Sequence, residues 1–160
     1  MAPVMNDNVV GGAHATAGVV SSALKYVADI SKINGCAGSL TAAFDGHAYR
    51  AVHQPSTIND FLPAGRLNPA RFAKKSDEER CSSWGLSMYT SCEKIRQMIL
   101  EVEKTSKYFR KIVGDHCAKL ALTATDGKRT QADSSGHFDF HEYESFDATK
   151  AVTQITALFP

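Results

Sequence analysis

The chain has 160 residues and a mass of 17.3 kDa, the size of one domain with room for a core that needs no covalent staples. Apolar residues make up 43% and charged residues 22%, and 18 Lys+Arg against 17 Asp+Glu leave a formal charge of +1. That balance excludes collagen-like repeats, disulfide miniproteins and strongly basic DNA-coating proteins.

Residues 1–18 are small, polar and glycine-rich and read as a flexible terminus ahead of a single α+β domain over 19–160. Gly11, Gly12, His14, Thr16 and Gly18 break up the uncharged stretch before Lys25. It is too polar for a membrane span and lacks the basic start and apolar block of a secretory signal, so a cytoplasmic protein with no membrane partner is expected. Apolar residues at Val19, Val20, Ala23, Leu24, Val27, Ile30 and Ile33 predict an N-terminal helix stopped by Asn34-Gly35. Phe44-Asp45-Gly46-His47 reads as a turn and 48–53 as a short strand.

Pro55, Pro63, Gly65 and Pro69 then punctuate a long irregular stretch to Ser82, with room for a short helix around Pro69–Ala73. Eleven basic against six acidic residues over 66–111 make the middle of the chain its basic part. The mixed run Lys74-Lys75-Ser76-Asp77-Glu78-Glu79-Arg80 reads as a solvated loop. Residues 82–89 suggest a second strand. Thr90 with Glu93 forms a capping box ahead of a long central amphipathic helix over about 91–113, whose apolar face carries Ile95, Met98, Ile99, Val102, Phe109, Ile112 and Val113 and which Gly114 ends.

Beyond Gly114 the period changes to two. Residues 117–122 alternate as a half-buried strand, turns follow at Thr125-Asp126-Gly127 and Asp133-Ser134-Ser135-Gly136, and 137–143 form an aromatic strand. Val152, Ile155 and Leu158 close the chain as a strand or short helix. The order of elements predicts an α+β fold, with the helices packed on a mostly antiparallel sheet.

Cys36, Cys81, Cys92 and Cys117 contain no C-x-x-C pair, so a structural zinc is not expected, and the four are read as reduced, buried small hydrophobes. His137, Asp139 and His141 share one strand face, but the two histidines stand ~13 Å apart at ~3.3 Å per residue, too far for one ion. They read as a polar outer face opposite Phe138 and Phe140. No zincin, P-loop, dinucleotide-binding glycine motif or nucleophile elbow occurs.

The segment from Trp84 to Lys94, a glycine followed by an aromatic/aliphatic strand, a Thr/Ser cap and a helix, resembles a stretch common in ADP-ribosyltransferases. Arg50, after Tyr49, falls where that superfamily carries its first Arg motif, and Glu142-Tyr143-Glu144 falls where it places its catalytic glutamate, often as E-x-E. The resemblance covers about residues 46–147 and departs from the family's S-T-S at Ser82-Ser83-Trp84.

It implies an enzyme, of the small bacterial toxin or effector type, that cleaves the nicotinamide–ribose bond of NAD without a metal and passes ADP-ribose to a protein or nucleic acid. Glu142 and Glu144 would then be catalytic, and Arg50, Ser83, Trp84, Ser87 and Tyr89 would bind NAD. A guanidinium fork suits a pyrophosphate, Ser83 would orient the glutamate, Trp84 and Tyr89 would cover the nicotinamide, and a carboxylate would stabilise the oxocarbenium-like charge that bond cleavage builds. The alternative is a non-catalytic protein-interaction module, of the immunity, antitoxin or anti-defence kind. It would dock on a protein partner through the basic loop 66–80 or the acidic hairpin at 139–147.

Overall fold

Alternating apolar residues in the second half of the chain need a partner on each face, and one antiparallel sheet supplies both. The computed structural model describes residues 23–42 and 45–160; the expected terminus 1–18 and the first turn of the predicted N-terminal helix lie outside them. In chain order the elements are α1 (Val27–Ile30), β1 (Thr41–Ala42), β2 (Gly46–Val52), α2 (Ala64–Leu67), α3 (Pro69–Phe72), α4 (Asp77–Ser83), β3 (Leu86–Tyr89), α5 (Cys92–Glu103), α6 (Phe109–Val113), β4 (His116–Leu122), β5 (Gly127–Arg129), β6 (His137–Glu142), α7 (Ala148–Ala151) and β7 (Val152–Ala157). The sheet has seven strands in the order β1-β5-β6-β3-β2-β4-β7, every neighbouring pair antiparallel. The α+β class is as the pattern predicts.

Register sorts the side chains. Leu86 stands opposite Phe140 and Met88 opposite Phe138. With Ala48, Val52, Ala118 and Leu120 they form a core on one face, closed by Phe61, Phe146 and Ala148. Burying Phe140 and Phe138, each at most 1% exposed, contributes about 2–3 kcal/mol per ring. The other face carries Tyr89 and Cys117, over which α5 lays Ile95 and Ile99.

Several elements differ from the pattern. Of the predicted N-terminal helix, the described part holds one helical turn, after which a series of turns brings Ile33 and Cys36 down onto Cys81. The central helix is broken: α5 ends at Glu103 and α6 starts at Phe109. The cause is local. Ser106 N–H keeps the ordinary i−4 bond to the Val102 carbonyl, but Thr105 bonds the same carbonyl through both its backbone N–H and its hydroxyl, the competition by which Thr disfavours helix interiors. A bidentate Arg110–Glu103 pair at 3.0 and 2.7 Å spans the break.

The N-cap of α5 is Ser91, which accepts from Lys94 N–H at 3.2 Å, so the Thr90–Glu93 box does not form; Thr90 N–H is spent on the Gly136 carbonyl. The stretch from 55 to 82 is a chain of short capped helices rather than a loop. Thr57 and Asp60 form a capping box on a 3-10 turn at Ile58–Phe61, and Ser76 and Glu79 form another on α4. The charged run is thus largely helical, its charges paired as Lys75–Glu79 and Arg80–Asp77. Ser82 and Ser83 end that helix, and the strand begins only at Leu86.

The cysteines are bonded, not reduced. Cys36–Cys81 and Cys92–Cys117 are disulfides with Cα atoms 5.4 and 5.8 Å apart, inside the bridging range. The first ties the N-terminal segment to α4, and the second ties the start of α5 to β4. Gly114 permits the sharp entry into β4: its φ is +95°, and a Cβ there would stand 2.1 Å from the Val52 carbonyl oxygen.

Candidate functional site

β2 and β3 lie side by side in the middle of the sheet, yet their ladder holds one registered pair, Tyr49 with Tyr89. The Ser87 carbonyl is taken by a side chain instead: Arg50 Nη1 donates to it at 2.7 Å, while Arg50 Nε donates to the Asp60 carbonyl at 2.6 Å. On the far side of β3, β6 pairs along its length and sets Ser87 opposite Asp139 and Tyr89 opposite His137. Three consecutive strands of the sheet thus present a guanidinium, a hydroxyl, an imidazole and a carboxylate at one place.

A cleft opens over them between the sheet and α4. Its inner lobe, about 260 Å³, is lined by Arg50, Phe72, Ser83, Gly85 and Ser87. Its outer lobe, about 610 Å³, runs past the Cys36–Cys81 disulfide to Asp77, Glu78 and Asp133. Ser82, His137 and Asp139 line both lobes. Together the lobes fall in the size range of small-molecule sites.

Ser87 Oγ stands 2.7 Å from His137 Nε2, and Asp139 Oδ1 is 3.6 Å from the same nitrogen. Serine and aspartate meet one nitrogen, so this is not the relay of a serine hydrolase, in which the carboxylate holds the opposite ring nitrogen. The Tyr89 ring packs edge-on against His137 at 5.2 Å. Burial pushes the Asp139 carboxyl above its usual range, against the lowering pull of the Ser82 hydroxyl and of His137. Burial also brings the Arg50 guanidinium down to about 10. Among the described residues no carboxylate lies within ion-pair distance of Arg50; its fixed bonds go to two backbone carbonyls.

The predicted site residues divide between the cleft and its surroundings. Arg50, Ser83 and Ser87 line it. Ser83 is 5% exposed and its hydroxyl donates to the Arg80 carbonyl at 2.7 Å, so it shapes the wall of α4. Trp84 stacks on Tyr26 at 5.4 Å beside the Cys36–Cys81 bridge, away from both lobes. Tyr89 is buried at 7% exposure between the α5 core and His137. Glu142 lines neither lobe: it is 3% exposed, on the Phe138–Phe140 face, and faces Lys25 Nζ at 3.2 Å. Glu144 is exposed beyond the end of β6, where its N–H bonds the Ala23 carbonyl.

The expectation of a polar outer face at His137, Asp139 and His141 is overturned, because α4 and the N-terminal segment cover that face: Asp139 is 8% and His141 1% exposed. The carboxylate that the cleft contains is Asp139. One sequence signal marks the close approach. Gly85 has no room for a side chain, since a Cβ would lie 2.9 Å from both Asp139 Cβ and His141 Nε2. Among the described residues no group of three or more His, Cys, Asp or Glu could hold a metal ion.

Among the described residues His141 has no hydrogen-bond partner on either ring nitrogen, and burial pushes its pKa down to about 4. The folded protein therefore keeps it neutral where an unfolded chain, with a histidine pKa of about 6.5, takes up a proton. The unfolded state binds more protons in that window, so stability falls as pH drops from about 6.5 to about 4, by roughly 3 kcal/mol from this group. Urea unfolding across the window will show this slope in the wild type and a shallower one in His141→Gln. Equal slopes would contradict it.

Compared with known protein families, with characterised proteins and with solved structures, the chain finds no match.

Proposed function

We propose that the cleft is a nicotinamide-dinucleotide site and that the protein cleaves the nicotinamide–ribose bond of NAD, passing ADP-ribose to water or to an acceptor. The observation that carries this reading is the meeting of Arg50, Ser87, His137 and Asp139, from three neighbouring strands, in one cleft. It agrees with the Arg-then-Ser order of the sequence and substitutes Asp139 for Glu142 as the working carboxylate.

Each group has a physical task. Arg50 has two of its five N–H groups committed to backbone carbonyls, and Asp60 and Glu142 attract it without a direct ion pair, which leaves a largely desolvated cation for the pyrophosphate. The bound nicotinamide ring is itself positively charged, and it suits the end of the cleft where Asp139 lies, with Asp133, Asp77 and Glu78 farther out. As the bond to the ring breaks, its electron pair leaves with nicotinamide and positive charge develops on the ribose, where Asp139 opposes it. A cationic ligand also favours the ionised form of this buried carboxyl. The Ser87–His137 pair supplies a hydroxyl that orients the ribose and an imidazole that can take the acceptor's proton.

The interaction-module alternative has less support. The basic loop spends Lys75 and Arg80 on its own acids, and Asp139 and Glu142 of the acidic hairpin are buried. Two disulfides favour an oxidising setting over the cytoplasmic one expected from the sequence. Among the described residues no helix is long and apolar enough to cross a membrane.

Incubation of the oxidised protein with NAD, followed by chromatography, tests the proposal. Free nicotinamide should accumulate with time and enzyme concentration, and ADP-ribose should inhibit its release. Intact NAD after prolonged incubation, with no saturable binding of NAD, would remove the reading.

A further inference from the structure

We propose that Asp60, held by His53, is the positioning residue that aims the Arg50 guanidinium into the cleft, and that a proton on His53 tightens the cleft's hold on an anionic ligand. The inference rests on the reading of the cleft as a dinucleotide site, and it names residues outside the cleft that set its affinity.

The geometry is a chain of short contacts from the surface to the cleft. Arg50 Nε donates to the Asp60 carbonyl at 2.6 Å, which fixes the plane of the guanidinium while Nη1 holds the Ser87 carbonyl at 2.7 Å. Asp60 is fixed by its own carboxylate. Oδ2 accepts from Thr57 N–H at 2.8 Å, and Oδ1 accepts from His53 N–H at 3.3 Å and meets His53 Nδ1 at 2.6 Å. The Asp60 side chain is 4% exposed and that of His53 is 44% exposed, so solvent protons reach one end of the chain and the ligand the other.

The partners of His53 determine its protonation. Nδ1 faces the Asp60 carboxylate and Nε2 faces the Lys111 carbonyl at 3.0 Å. Both are acceptors. A neutral imidazole has one N–H and must leave one of them opposite a lone pair, whereas the imidazolium donates to both. The remaining charge nearby points the same way: Asp115, from the turn after α6, adds attraction, and it is itself bonded by His116 at 2.6 Å. The His53 pKa is accordingly raised, chiefly by the bond to Asp60 and then by that to the Lys111 carbonyl, against the lowering effect of burial. A raised folded pKa means that the doubly bonded state is full at low pH and is lost as pH rises through that value. Deprotonation removes the positive charge beside the Asp60 carboxylate and one of the two ring bonds that hold His53 between Asp60 and Lys111, and the loosened Asp60 carbonyl lets Arg50 turn away from the ligand.

The test has one arm that needs no NAD. In ligand-free protein the ¹⁵N–¹H resonance of Arg50 Nε, assigned by its loss in Arg50→Lys, should move with pH across about pH 5.5 to 8.5, the range around an ordinary histidine. The movement should vanish in His53→Gln. Solvent exchange of that N–H should be faster in Asp60→Asn. One resonance position and one exchange rate in all three proteins at every pH would overturn the inference, whatever the protein does with NAD.

The second arm reads function. KM for NAD should rise roughly tenfold in Asp60→Asn and in wild type at high pH, with kcat within about twofold, because one charge-assisted bond is lost from binding and none from the reacting atoms. A fall in kcat at unchanged KM would overturn the positioning role. If the resonance behaves as expected but NAD is untouched, the dinucleotide reading fails and the positioning role stands, with inorganic pyrophosphate as the probe of its pH-dependent affinity.

Discussion

Reduction of the disulfides is expected to lower the melting temperature by roughly 10 °C per bridge. The Cys36–Cys81 bridge has a sequence separation of 45 residues and the Cys92–Cys117 bridge one of 25. On the chain-entropy account, closing loops of these lengths in the unfolded state is worth about 4 and about 3.5 kcal/mol. At 2–4 °C per kcal/mol for a chain of about this size, each loss is readily measured. Thermal unfolding with and without a dithiol reductant gives the comparison. Four titratable thiols in the untreated protein, or a melting temperature indifferent to reductant, would contradict it. Loss of the first bridge should also reach the site, because Cys36 and Cys81 line the outer lobe and Ser82 follows Cys81 on α4.

Removal of the charge on Asp139 is expected to lower kcat for NAD cleavage by roughly 10²–10³-fold, the cost of withdrawing one preorganised electrostatic group from a developing charge. Ser87→Ala should cost less, roughly tenfold, since it removes an orienting bond and leaves the carboxylate. The pH profile carries the same signature. On the proposed mechanism Asp139 works ionised, and burial raises its pKa, so kcat/KM for the wild type should fall as pH drops through that raised value. In Asp139→Asn that acidic limb should disappear from what activity remains. An unaltered limb in the variant would assign it to another group.

The sequence made the sheet legible because its strands alternate cleanly. Phe138 and Phe140 announce one face of β6, and Ala118, Leu120 and Leu122 one face of β4, so register follows from burial. The broken central helix is less legible, because the apolar spacing of Phe109, Ile112 and Val113 continues that of α5 in phase, while the Thr105 hydroxyl takes the Val102 carbonyl between them. α4 could have been found: Ser76 followed by Glu79 is the S-x-x-E signature of a helix start, and the charges around it concealed the signal.

Of the residues that the resemblance implies for NAD binding, Arg50, Ser83 and Ser87 line the cleft. Asp139 is not legible as a cleft residue, because a polar residue opposite two phenylalanines reads as solvent-facing when the sequence shows no covering layer. That layer is the N-terminal segment bonded to α4 through Cys36–Cys81, and spacings of 45, 11 and 25 residues between cysteines do not disclose a pairing. Asp60 was invisible for a similar reason. Its contact with Arg50 is made by a backbone carbonyl, which carries no residue identity.

The identity of the cleft's carboxylate is open to direct trial. Initial rates of nicotinamide release should be measured side by side for wild type, Asp139→Asn, Glu142→Gln and Glu144→Gln, each shown by circular dichroism to be folded. The account predicts loss of activity in Asp139→Asn and near-normal kcat in Glu142→Gln and Glu144→Gln, since neither glutamate lines the cleft. An active Asp139→Asn beside an inactive Glu142→Gln would contradict it.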